Sequence, residues 1–228
     1  MSLLHVFDMD GTLLRGTTAS LEIARRLGCL PDLADLEASF GAGALSTRDF
    51  AVAICRIWSA LTLSDVAEVF SAAPWISGLA EVMADIRARD ERSLVVTMSP
   101  DFFAARLCSL GVDEVVASRF PPLPFRSEPD PAGILSPADK VAAVDRVRSR
   151  HGLSREQCIA YGDSRSDGPL FEVLSCTVAI NADEYLRSRA QLHYEGVDLR
   201  DAYQMARQRL ADERRSPEAT PTYQEAAG

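Results

Sequence analysis

The stretch His5-Val6-Phe7-Asp8-Met9-Asp10-Gly11-Thr12-Leu13 decides how this chain is read. An apolar run ends in two aspartates two positions apart, and a glycine follows at once. A buried strand over 3–8 sends the Asp8 and Asp10 side chains roughly the same way, because strand side chains alternate with a period of two. Two carboxylates at the end of a central strand repel each other unless a cation or a shared proton compensates them. Metal-assisted nucleophilic chemistry is the kind of task that justifies such a cost. Taken alone, the same residues also read as an acidic strand-to-turn junction, since Asp and Gly are ordinary turn formers.

Outward from this stretch, apolar runs at 3–8, 93–97, 114–118, 157–161 and 177–180 read as strands, with a shorter one around 191–194. Helical patterns at 78–89, 101–110, 137–150 and 167–174 alternate with them, which predicts a parallel sheet with crossover helices. Ser136-Pro137 opens one helix with a cap and a first-turn proline, and Gly111 closes another. Residues 16–73 break the alternation: 18–27, 46–60 and 63–71 read as three amphipathic helices with no strand between them. The expected fold class is α/β, a doubly wound Rossmann-like parallel sheet with an inserted all-helical cap. The expected domains are a core of 1–15 and 74–210, a helical cap of 16–73 placed as a lid, and a disordered tail of 211–228. The proline-rich stretch 120–133 reads as a loop.

With 228 residues, 47% of them hydrophobic and 25% charged, the chain has the makings of one α/β domain with an insertion. A net charge of −9 argues against nucleic-acid and anionic-membrane partners. An anionic substrate must then be drawn in by a local device such as a metal, a lysine or a helix N-terminus. Five scattered cysteines without a CxxC pair read as small buried hydrophobes of a reducing compartment, so the expected location is the cytoplasm, with no leader segment and no membrane span. The three histidines are isolated and form no zinc pattern. Gly41-Ala42-Gly43 follows no strand and is no dinucleotide fingerprint.

Three further stations lie at predicted strand ends, where ligands bind in open α/β sheets. Leu94 to Thr97 runs into Met98-Ser99-Pro100, where the Thr97 hydroxyl and the next backbone N–H groups are placed to cradle an anion; a strand end with a helix cap reads the same way. Lys140, near the start of the 137–150 helix, is either solvated surface or a fixed charge facing a phosphate. Ile159-Ala160-Tyr161-Gly162-Asp163 brings a strand into a turn with Asp167 four residues on; this is a capping loop or a pair of hard oxygen ligands suited to Mg²⁺.

In that order and on those elements, the stations resemble the haloacid dehalogenase superfamily of aspartate-nucleophile phosphohydrolases. Asp8-Met9-Asp10-Gly11-Thr12 matches its first motif, Thr97 its second, Lys140 its third, and Gly162-Asp163 with Asp167 its fourth; the likeness covers residue 3 to about 180. The resemblance implies an Mg²⁺-dependent phosphatase acting on a small phosphorylated metabolite, as a monomer or homodimer. It implies that Asp8 attacks phosphorus to form an aspartyl-phosphate and that Asp10 serves as acid, then base. It assigns Mg²⁺ to Asp8, the Asp10 carbonyl, Asp163 and Asp167, and the phosphoryl oxygens to Thr97, Lys140 and the Met98 N–H, with Gly11 and Arg165 also against the substrate.

The helical insertion and the Val-Thr-Met-Ser-Pro and Gly-Asp-Ser patterns look most like the phosphoserine-phosphatase-like branch, with its C1-type cap. Thr17 stands where that branch places a glutamate, apolar residues of 50–55 where it places an arginine, and Ser166 where it carries asparagine. Its Ser-Gly-Gly run is missing from the second motif. These departures disfavour phosphoserine and point to a sugar, cyclitol or other small-metabolite phosphate. Arg15, Arg48, Arg56 and Arg165 are the cationic candidates for a substrate's far end, Arg165 first because it lies inside the acidic loop. Phe40 and Trp58 read either as pocket wall or as cap core. A phosphomutase or phosphotransferase on the same Asp8 is the nearest alternative, and a receiver-like or relict phosphate-binding module a more distant one.

Overall fold

The structure, a computed structural model, describes residues 2–215. The chain opens with β1 (Leu4–Phe7) and two short bridging segments, β2 (Asp10–Gly11) and β3 (Leu14–Arg15). Four helices follow without a strand: α1 (Ala19–Leu27), α2 (Leu30–Gly41), α3 (Thr47–Ile57) and α4 (Leu63–Ala72). Next come α5 (Leu79–Ala88), β4 (Arg92–Pro100), α6 (Asp101–Ala104) and β5 (Glu114–Ser118). The remainder is α7 (Pro137–Arg150), β6 (Cys158–Gly162), α8 (Gly168–Val173), β7 (Cys176–Ile180), α9 (Glu184–Arg187), β8 (Leu192–Tyr194) and α10 (Leu199–Arg215).

Six strands form one sheet in the order β5-β4-β1-β6-β7-β8, every neighbour pair parallel. Parallel sheets need both faces covered, and β1, β6 and β7 are buried along their whole length. Strand parity sorts the core. Leu4, Val6, Leu94, Val96 and Ala160 pack with Ala143, Val144 and Val147 of α7, whereas Phe7, Val95, Ile159 and Tyr161 pack in a second cluster with Leu79 and Val82 of α5 and Leu199 and Tyr203 of α10. β1 is central, so the residues that follow it emerge mid-sheet at the carboxyl edge. The sequence-based strands and the parallel α/β class all find counterparts here.

Several elements differ from expectation. Residues 16–73 hold four helices, not three, because α2 forms over a stretch for which no helix was expected. Proline near the helix start costs no hydrogen bond, and Leu33 and Leu36 bury themselves one turn apart. The helix expected over 101–110 splits into α6 and a 3₁₀ run, Ala105–Leu110, that ends at Gly111. Residues 211–215, expected as disordered tail, continue α10, whose Leu199, Ala202, Tyr203 and Ala206 recur at helical spacing and are fully buried; the rest of that expected tail, 216–228, lies outside the described residues. The loop expected over 120–133 holds one short 3₁₀ turn, Pro131–Gly133. No helix among the described residues is long and apolar enough to cross a membrane.

Candidate active site

Asp8 is the first residue past β1, and its N–H still donates to the Tyr161 carbonyl of β6 at 2.9 Å. Its parity is that of Leu4 and Val6, so its side chain faces the α7 side of the sheet. There Lys140, in the first turns of α7 and 1% exposed, donates to Asp8 Oδ1 at 2.7 Å, to Asp167 Oδ1 at 2.7 Å and to Ser166 Oγ at 3.3 Å. Burial opposes the lysine's charge, but the carboxylates of Asp167 and Asp8 outweigh it and raise its pKa. Burial and then the charge of Asp167 push the Asp8 carboxyl well above its usual range, with Lys140 pulling the other way.

Asp163 follows β6, held against the first turn by a hydrogen bond from the Thr12 hydroxyl at 3.2 Å. Burial, then Asp167, pushes its carboxyl up to about 7. The Asp163 and Ser164 N–H groups donate to Asp167 Oδ2 at 3.2 and 3.4 Å, which fixes the turn. Oxygens of Asp8, Asp163 and Asp167 all lie within 4.8 Å of one another. Three hard oxygen donors that burial leaves short of compensation fit a Mg²⁺ ion. The backbone has made room for this: Gly11 has φ +76°, and a Cβ there would stand 2.1 Å from Asp163 Oδ2.

Asp10 does not share the partners of Asp8. Both residues border one cavity, yet β1 stops at Phe7 and the chain turns at Met9, so their carboxylates find different partners. The Asp10 carboxylate instead accepts from the Ala19 N–H at the start of α1, at 2.7 Å, and from the Ser99 hydroxyl. Burial raises its pKa, and those two hydrogen bonds moderate the rise. Its side chain is therefore tied to the helical insertion and to β4.

The sheet edge opens on a cavity of about 710 Å³ lined by Asp8, Asp10, Gly11, Thr97, Met98, Lys140 and Asp163, among others. Seven of the nine expected site residues thus meet there. Asp167 lies just beneath, 1% exposed. Arg165 is the exception: its guanidinium stacks over the Tyr185 ring at 4.2 Å, beside Arg189 at 3.8 Å on the same ring, and it does not line the cavity. Of the other cationic candidates, Arg15 lines the cavity, Arg56 pairs with Glu128 on the surface, and Arg48 lies near Asp139. Thr97 is buried, and its hydroxyl accepts from the Ser99 N–H at 3.1 Å. Ser99 and Thr12 were not singled out from sequence, although each stands inside a motif already quoted; Ser166 was named only as a departure from the phosphoserine-phosphatase pattern, and it accepts from Lys140.

Residues 5–172 match the model of the haloacid dehalogenase-like hydrolase family. A phosphoserine phosphatase of Archaeoglobus fulgidus is 24% identical over 189 residues, 82% of this chain; the chain spans about half, 55%, of that relative's length. Among solved structures, a substrate-bound phosphoserine phosphatase superposes with a TM-score of 0.75 at 20% identity, covering 90% of this chain and 98% of that one. A phospho-aspartyl intermediate analogue of phosphoserine phosphatase gives a TM-score of 0.74 at 20% identity, with the same coverage of 90% and 98%. These structural likenesses establish the fold, and the family match spans most of the chain together with all four stations. The chain belongs to the haloacid dehalogenase-like hydrolase family.

Proposed function

We propose that this protein is a Mg²⁺-dependent phosphatase that hydrolyses a small-metabolite phosphate monoester through an aspartyl-phosphate on Asp8. The observation that carries this reading is Lys140 clamped at 2.7 Å between Asp8 and Asp167, with Asp163 in coordination range of both acids. Lys140 fixes one Asp8 oxygen, which leaves the carboxylate oriented for in-line attack on phosphorus. The Asp8 Oδ–P bond forms as the bond from phosphorus to the leaving oxygen breaks. Thr97, the Met98 N–H and Lys140 hold the transferred oxygens.

Asp10, raised in pKa by burial and steered by Ser99 and Ala19, gives its proton to the leaving oxygen. It then takes a proton from the water that cleaves the acyl phosphate, which returns free Asp8 and inorganic phosphate. Asp8, the Asp10 carbonyl, Asp163 and Asp167 would hold Mg²⁺, which when bound offsets the negative charge shared by nucleophile and phosphate.

The test is hydrolysis of 4-nitrophenyl phosphate with Mg²⁺, with EDTA, and in Asp8→Asn. Release of phosphate that EDTA abolishes and the variant lowers about a thousandfold or more is expected, since nothing else in the site replaces the nucleophile. Equal activity in Asp8→Asn overturns the mechanism. Conversion of a sugar monophosphate to an isomeric phosphate, without free phosphate, would assign the same Asp8 chemistry to a phosphotransferase.

A further inference from the structure

Two cavities meet at Asp10 and Met98, and they differ in charge. The smaller, of about 220 Å³, lies between the helical insertion and the carboxyl end of β4, and no lysine or arginine lines it. The larger, of about 710 Å³, continues past the catalytic residues to Arg15, Asn181, Gly196 and Val197, the last three just beyond the carboxyl ends of β7 and β8. The carboxylates that line it already have partners: Asp8 accepts from Lys140, Asp10 from Ser99 and Ala19, and Asp163 from Thr12. Arg15 does not. It is exposed at the cavity wall, and among the described residues no acid pairs with its guanidinium and no hydrogen bond engages it. Glu22, the next acid along the chain, is taken by Arg25 and the Thr17 hydroxyl.

We propose, resting on the phosphatase reading above, that Arg15 binds a second oxyanion on the substrate, a phosphate monoester whose carbon skeleton also bears a carboxylate or another phosphate. Arg15 pairs with Gly11 in the short β2–β3 ladder, one strand spacing, about 4.8 Å, from the turn that follows Asp8. Leu14 beside it is fully buried, so alternation turns Arg15 the other way, to the cavity. Its N–H donates to the Pro74 carbonyl at 3.0 Å, which ties its backbone to the chain leaving the helical insertion. A Cβ on Gly16 would meet nothing within 4 Å, so space is open beside the arginine. The wall formed by the loops after β7 and β8 is fixed as well: the Asn181 amide and the Gly196 backbone exchange two hydrogen bonds of 2.9 Å. An anion seated in the smaller cavity would meet Glu37 and Asp10 with no cation to offset them. Lys140 is committed to Asp8 and Asp167, Arg56 to Glu128, and Arg165 to the Tyr185 ring, while Arg48 lines neither cavity. That leaves the Arg15 guanidinium, whose forked donors match a carboxylate or phosphate edge.

The experiment uses two pairs of phosphates that differ at the far end: 3-phosphoglycerate against glycerol 3-phosphate, and fructose 1,6-bisphosphate against fructose 6-phosphate. Initial phosphate release is measured with Mg²⁺, and calorimetric binding of the same four to Asp8→Asn reads the cavity independently of turnover. The anionic member of a pair is expected to lead by about fivefold in kcat/KM and in affinity, which is what a solvent-exposed ion pair near the upper end of its range supplies. A lead in both pairs, or in one alone, supports the proposal and identifies which oxyanion the arginine takes. Arg15→Gln should bring the leading pair within about twofold, and Arg15→Lys should keep part of the preference, because it retains the charge but loses the fork. The ratio is taken within one protein, so a general loss of activity or folding in a variant cancels. No anionic lead in either pair, a lead undiminished in Arg15→Gln, or binding of none of the four overturns the proposal. Failure to hydrolyse 4-nitrophenyl phosphate would instead overturn the phosphatase reading, and the calorimetric ratios would still decide the role of Arg15.

Discussion

Lys140→Met removes a charge while keeping most of the side chain's length. Lys140 is 1% exposed and lies 2.7 Å from each of two carboxylates, with Asp163 close by, so one ammonium faces three acids. Removing one partner of a buried ion pair costs about 3–5 kcal/mol, because the charge left behind is neither solvated nor paired. For a chain of this size each kcal/mol corresponds to roughly 2–4 °C in Tm, so melting in EDTA should fall by about 6–20 °C. On the proposed reading, added Mg²⁺ would supply the missing positive charge to the same acids. The Mg²⁺-induced rise in Tm should therefore be larger in the variant than in the native protein, although kcat on an aryl phosphate falls about 10²–10³-fold with the loss of a phosphoryl-oxygen donor. Thermal melts of both proteins in EDTA and in a Mg²⁺ titration make the comparison. A variant that melts within about 2 °C of the native protein in EDTA would show that Lys140 does not compensate these acids. An identical Mg²⁺ response in both proteins would show that the metal and the lysine do not serve the same carboxylates.

Gly11→Ala should act on metal binding more than on folding: its φ of +76° costs a Cβ-bearing residue roughly 1–2 kcal/mol, but the new methyl would overlap Asp163 Oδ2, 2.1 Å away. The expected result is a small drop in Tm with a several-fold higher Mg²⁺ concentration for half-maximal activity, and an unchanged Mg²⁺ requirement refutes the packing argument. At the opposite edge of the sheet, His5 is fully buried between Tyr161 and Glu91, and burial lowers its pKa despite the Glu91 carboxylate. The unfolded chain then binds a proton near pH 6.5 that the folded chain refuses, so stability should fall as pH drops below about 6.5. Denaturant melts from pH 7.5 to 5.5 should show this slope in the native protein and a shallower one in His5→Gln; equal slopes would exclude His5 as the source.

What could be read from sequence was what a few neighbouring residues dictate. Asp8 and Asp163 each follow a strand whose apolar run is plain, Thr97 ends the apolar run of β4, and parallel strands in an open sheet bring such ends to one edge. Lys140 was legible as a station, but its placement between Asp8 and Asp167 depends on α7 packing Ala143, Val144 and Val147 against the sheet. Arg165 was misread because proximity in sequence stood in for direction. Tyr185 and Arg189, some twenty residues on, give its guanidinium a ring to stack on, away from the cavity. The parting of Asp8 and Asp10 was hidden for a related reason, since it turns on where a strand stops, the least determined feature of any strand. The wall of the 220 Å³ cavity between the helical insertion and β4 was half legible: Phe40 and Trp58 were read as pocket wall or cap core, whereas Glu37 was not singled out. No helix was expected over α2, and the wall forms only where α2 and α3 seat over Met98 and Ser99. The acidic cluster is legible at strand ends, whereas the walls around it depend on how the inserted helices seat on the sheet, which no local pattern fixes.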